Sequence, residues 1–162
     1  MKLDQLFLMQ KELDSKIEEQ HGLKKEELFD RKVLALQVEV GELANETRCF
    51  KFWSLKPSSP KEVILEEYVD GLHFILSLGL TLNYSMDIET EASVKMESVT
   101  EQFLVVYQLI SQFRESRDED TYQVLFSSYI HLGELLHFEW KEIEQAYYKK
   151  NEVNHERQQT GY

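Results

Sequence analysis

Cysteine is almost missing from this 162-residue chain: Cys49 stands alone. A disulfide within the chain is therefore impossible, and a reducing compartment, the cytoplasm, suits the protein best. Proline is nearly as scarce, with two residues against six glycines, so little in the sequence interrupts a helix. Basic residues are outnumbered, 18 Lys and Arg against 30 Asp and Glu, for a net charge of −12. That balance excludes a general nucleic-acid binder held by phosphate contacts, and an anionic small molecule could bind only with the help of cations. Long apolar runs are absent too. The longest aliphatic stretch, Phe74 to Leu82, is broken by Ser77, Gly79 and Thr81 and falls well short of the ~20 residues that span a bilayer, so no membrane partner is expected. The opening MKLDQLFLMQKELD meets acidic residues at once and does not read as a secretory signal. Strand-like alternation is nowhere sustained.

What is present is enough to fold. Hydrophobic residues make up 42% and aromatics 12%, which argues against disorder, and the length suits one domain over 1–162. Apolar residues recur with helical period, so the class is all-α, a helical bundle with helices expected near 2–20, 26–48, 60–82, 95–115, 120–138 and 139–156. His21-Gly22 reads as a helix end. In KFWSLKPSSP (51–60), Ser59 is placed to cap the third helix and Pro60 to occupy its first turn. NYSMDIETEAS (83–93) and RESRDED (114–120) are polar connectors, too short to be domain linkers.

The third helix poses the functional question, because EEYVDGLHFILSLGL (66–80) is apolar yet carries Glu66, Glu67 and Asp70. At about 100° per residue, Glu67 and Asp70 share one sector with Val63 and Phe74, which points these acids inward. On the second helix Glu39, Glu42 and Glu46 line one sector beside Val33, Leu36, Val40 and Leu43. Two E-x-x-E/D pairs on consecutive helices of a four-helix core therefore face one another, with further helices following. Like charges about 4 Å apart repel by ~4 kcal/mol at an effective dielectric of ~20, so protons or cations must compensate. An all-oxygen donor set matches a hard divalent ion such as Mg²⁺. Near the C-terminus Lys150, Asn154 and Arg157 fall on one helix face by i, i+4, i+7 spacing, so ammonium, amide and guanidinium can meet one anion.

Taken together, E-V-G-E at 39–42, K-F-W at 51–53, E-E-Y-V-D-G-L-H-F at 66–74 and K-N-E-V-N-H-E-R-Q at 150–158 resemble the dimeric, all-α dUTPase family, a relative of the wider all-α nucleoside triphosphate pyrophosphohydrolases. The resemblance runs from Gln10 to Tyr162. It implies that Glu39, Glu42, Glu67 and Asp70 hold Mg²⁺ ions gripping the substrate phosphates, two or three of them, since a triphosphate of about −4 cannot otherwise sit beside four carboxylates. It implies hydrolysis of dUTP to dUMP and pyrophosphate by a metal-activated water, with Glu42 or Glu39 as the residue that positions or deprotonates it, and leaves the use of dUDP open. Lys150, Asn154 and Arg157 match positions that contact phosphates or nucleoside, Tyr162 matches the family's ending, and residues 150–162 could form a segment that orders over bound nucleotide. Trp53 is placed to stack on uracil, while His73 and Phe74 match the lining of the base pocket. Gln10 and Asp14 match positions meeting base and sugar, and many relatives carry Asn where Asp14 stands. A homodimer is implied as well.

Three other readings stay open on the residues. A broader house-cleaning pyrophosphohydrolase would share the acidic pairs. A di-iron carboxylate bundle would use Glu-x-x-His pairs, and Glu18/His21, Glu134/His137 and Glu152/His155 have that spacing. A non-enzymatic helical adaptor would use apolar surface such as Phe103, Val106, Leu109, Leu125, Phe126, Tyr129 and Leu132, which the sequence cannot divide between core and subunit interface.

Overall fold

The computed structural model describes residues 3–24 and 28–162. Among them are six α-helices and no strand: α1 (Asp4–His21), α2 (Phe29–Thr47), α3 (Lys61–Leu82), α4 (Val99–Ser116), α5 (Glu119–Leu135) and α6 (Trp140–Thr160), with one 3₁₀ turn at Thr90–Ala92. The all-α bundle is as expected. The expected helix starts at 2 and 26 lie outside the described residues. Gly22 ends α1 in the left-handed conformation at φ +62°, as the His21-Gly22 pair foretells.

α5 ends at Leu135 instead of 138 and α6 runs on to Thr160 instead of 156, and two helix starts differ for local chemical reasons. Ser98, not a residue near 95, begins α4, its side chain accepting the Glu101 N–H. Ser59 does not cap α3. Its hydroxyl donates to the Glu46 carboxylate, its N–H bonds the Glu46 carbonyl at 3.0 Å, and Pro60 takes the cap position without a side-chain bond. Glu46 is thereby spent on holding the 48–60 loop against α2.

α3 is the central rod. It packs on α1, α2, α5 and α6, while α4 and α5 form a hairpin whose α4 leans on α2. Two tyrosines bridge α3 to α5: Tyr68 O–H donates to the Tyr129 carbonyl at 3.1 Å and Tyr129 O–H to the Tyr68 carbonyl at 2.7 Å. Each hydroxyl end lies over a glycine. A Cβ on Gly71 would stand 2.2 Å from the Tyr129 oxygen, and one on Gly133 would stand 2.7 Å from that of Tyr68. Phe138 packs on Tyr68, and Lys61 at the head of α3 pairs with Glu142 of α6 at 2.7 Å. These contacts fix α6 alongside α3. The seven apolar residues from Phe103 to Leu132 that could have served an interface are all buried within the chain.

Candidate active site

The acids of α2 and α3 do meet. One oxygen each from Glu39, Glu67 and Asp70 lies within 4.8 Å of the others, the one grouping of three or more metal-capable side chains among the described residues. Glu42 is exposed at the edge of this set, near enough for its charge to act on Glu39. Val63, expected to share the inward sector, is exposed. The sector opens on a cavity rather than on core, which leaves the acids half-buried.

The cluster is compensated only in part, by Lys150 on Asp70. Burial first, and then the charges of Asp70, Glu42 and Glu67, push the Glu39 carboxyl up to about 8. Burial and the neighbouring acids raise Glu67 as well. Asp70 is raised mainly by burial, although Lys150 pulls the other way. A carboxyl whose folded value exceeds its unfolded one stabilises the fold fully below the unfolded value, and that contribution fades as pH rises through the folded value. In chelator, the melting temperature should therefore fall between about pH 6.5 and about pH 8; at lower pH His73, lowered to about 3, acts with the opposite sign. Glu39→Gln should flatten this slope, and a pH-independent wild-type melting curve would contradict the frustration inferred here. The depressed carboxyls Asp30, Asp118 and Glu142 act with the opposite sign, and only below that window.

α6 faces the acids with cations. Lys150 Nζ donates to Asp70 at 2.8 Å and to Glu66 at 3.0 Å. Asn154 and Arg157 follow on the same face, and the Arg157 guanidinium lies 4.8 Å over the Tyr162 ring. The far end of α6 is tied down by Gln158, whose carbonyl accepts from Gln20 at 2.9 Å and whose side chain meets His21 at 3.1 Å.

Between these walls lies a cavity of about 380 Å³. Glu39, Asp70 and Lys150 line one part, Asn154, Arg157 and Tyr162 another, and Gln10, Asp14, His73 and Phe74 the deeper part. His73 and Gln10 are only 5% and 4% exposed. Burial, then the charge of Lys150, lowers His73 to about 3, so the ring is neutral. Trp53 is the predicted residue that the fold keeps apart: it is 64% exposed on the 48–60 loop, edge-on to Phe50 and Phe52, and does not line the cavity.

Residues missed by sequence reasoning share faces with those found. Glu66 precedes Asp70 by four, Ser77 follows His73 by four, Lys32 precedes Glu39 by seven and Tyr147 precedes Lys150 by three. Helical spacing was the signal available for all of them. The Glu-x-x-His pairs, by contrast, come apart. Glu134 bonds His131 at 2.9 Å while His137 sits in an exposed turn at φ +61°, Glu18 lies 3.8 Å from Lys32, and Glu152 is exposed.

An all-helical bundle that gathers acids from two adjoining helices beside a cationic helix face fits the class of all-α nucleotide pyrophosphohydrolases that the sequence resembles. More particularly, the chain belongs to the dUTPase family, whose sequence pattern matches residues 2–162. It is accordingly an enzyme of the dUTP diphosphatase kind, with a nucleotide as substrate. Among curated proteins none matches the chain in sequence. Among the described residues no helix is long and apolar enough to cross a membrane.

Proposed function

We propose that the protein hydrolyses dUTP to dUMP and pyrophosphate with Mg²⁺ held by Glu39, Glu42, Glu67 and Asp70. The observation that carries this reading is the convergence of three carboxylates within 4.8 Å, two of which, Glu39 and Asp70, line a cavity that Lys150 and Arg157 also line. The donor set fits the ion: oxygen only, without His or Cys, and carrying negative charge that Lys150 balances only in part. Bound Mg²⁺ supplies neutralisation of the polyphosphate and acidification of a water.

The chain's own residues supply the rest. Glu42, exposed beside Glu39, is placed to orient a water or take its proton. Lys150, Asn154 and Arg157 bind phosphate oxygens or nucleoside, and residues 150–162 close over them. Phe74 gives the base a flat apolar wall, and Gln10 and His73 give it hydrogen bonds. Trp53 reaches a base only if its loop moves or if a second copy presents it.

Pyrophosphate release from dUTP, dTTP, dCTP and UTP, with and without Mg²⁺, tests the reading. Release that ignores Mg²⁺, or equal rates on all four, would refute the metal centre or the uracil pocket respectively.

A homodimer belongs to the same proposal. Leu104 of α4 and Phe50 are exposed and line a second, apolar groove between α2 and α4, and Leu34 and Val38 of α2 are exposed as well. Leu104→Glu should turn a dimer into monomer in sedimentation velocity. A wild type that sediments as monomer at all concentrations removes this part.

A further inference from the structure

The deep part of the cavity is a chain of hydrogen bonds whose direction is set at one end. Asp14 Oδ1 accepts from Gln10 Nε2 at 2.9 Å, and its Oδ2 accepts from Ser77 Oγ at 2.7 Å with Lys32 Nζ 3.8 Å away. A carboxylate has lone pairs and no hydrogen to give, so only the amino side of Gln10 can face it. The amide oxygen of Gln10 must then point the other way, toward His73 Nδ1 at 2.7 Å and the Tyr147 hydroxyl at 2.8 Å. Tyr147 cannot set this polarity, because its hydroxyl has a second acceptor in the Leu6 carbonyl at 3.2 Å and itself both gives and takes. A neutral imidazole facing an amide oxygen carries its proton on that nitrogen. His73 is therefore the Nδ1–H tautomer, and Nε2 is left as a bare acceptor. That atom is buried and finds no partner among the described residues. The Tyr147 ring stacked 4.2 Å from the imidazole holds its plane.

We infer that Asp14 is a specificity-determining positioning residue: acting through Gln10, it holds His73 in the tautomer that offers a buried acceptor at Nε2, on the side of the ring away from Gln10. The chemistry recognised is a ring N–H, as on the imide of uracil. His73 Nε2 accepts that N–H. Cytosine presents a bare ring nitrogen at the same place and leaves the His73 acceptor unpaired. Mismatches of this kind discriminate far more strongly than a methyl group does. The inference deepens the proposed function and rests on it for the identity of the base, but the tautomer does not depend on any substrate.

The near-isosteric Asp14→Asn is the informative change. Lys32 favours the new carboxamide's oxygen on its own side, which turns an N–H toward Gln10 and invites that amide to flip. Two-bond correlation spectra of ¹⁵N-histidine-labelled protein read the tautomer directly. In the wild type His73 should be protonated at Nδ1 only, and in Asp14→Asn the Nε2–H form should gain population. In parallel, the ratio of kcat/KM for dUTP over dCTP should fall about tenfold or more. Protonation at Nε2 in the wild type overturns the inference whether or not the variant folds, and so does a variant with unchanged tautomer and unchanged selectivity. If the tautomers behave as stated but wild type does not prefer dUTP to dCTP, the hydrogen-bond relay stands and the assignment of the base falls.

Discussion

Asp70→Asn should reduce pyrophosphate release from dUTP by about 10²–10³-fold, the scale on which removing one preorganised electrostatic partner acts. Asp70 is the point where the three sides of the site meet. Its oxygen belongs to the carboxylate set, its other contact is Lys150, and its side chain is only 18% exposed. The substitution keeps shape and removes one negative charge. Because the acids repel one another, melting temperature in chelator should hold or rise, which separates lost chemistry from lost folding. Divalent-ion affinity measured by calorimetry should drop together with the rate. A variant that keeps more than a tenth of wild-type activity would remove Asp70 from the centre. Glu42→Gln in the same assay separates roles. Placed at the rim, it should depress turnover while disturbing ion affinity less than Asp70→Asn does, and an unchanged rate would exclude Glu42 from the site.

Lys150→Met should change two measurements in opposite directions. In the nucleotide-free protein the Lys150 ammonium occupies the space beside Asp70 and Glu66, with only 14% of its side chain exposed. An ion approaching Asp70 must compete with it. Removing the ammonium should therefore tighten Mn²⁺ or Mg²⁺ binding several-fold in calorimetry without nucleotide. Turnover should nevertheless fall by about 10–10²-fold, since a charged hydrogen bond to phosphate of ~1.5–3 kcal/mol is lost. Glu66 is the second anchor of this lysine and remains its partner when Asp70 is taken. Weaker divalent binding in Lys150→Met would show that lysine and ion do not share the carboxylate.

Much of this site was legible before folding, for a simple reason. Helical side chains repeat at fixed angular intervals, so Glu39 with Glu42, Glu67 with Asp70, and Lys150 with Asn154 and Arg157 were assigned to common faces by spacing alone. The same rule covers Glu66 and Ser77, which were passed over because acidic and hydroxyl residues are abundant and spacing does not say which of them matter. Ser59 was misread because Ser before Pro-Lys at a helix start looks like a cap, whereas Glu46, thirteen residues earlier, offers its hydroxyl a charged acceptor. Trp53 could not be placed from sequence, since a loop lacks the periodicity that makes a direction computable.

By itself, then, the order of residues determined that the chain is a bundle of helices, which acids and cations ride together on each rod, and to which family it belongs. Those properties are local, or are written in motifs of a few adjacent turns. Tertiary structure decided that the acids border a cavity instead of core, that Lys150 is held by Asp70 and Glu66, and that Asp14 sets the direction of hydrogen bonds through Gln10 to His73. Apart from the Asp14–Gln10 link within α1, these are contacts between residues 63 to 84 positions apart. They depend on how closely the rods approach and at what rotation, and that is set by interlocks such as Tyr129 over Gly71, which no single helix contains.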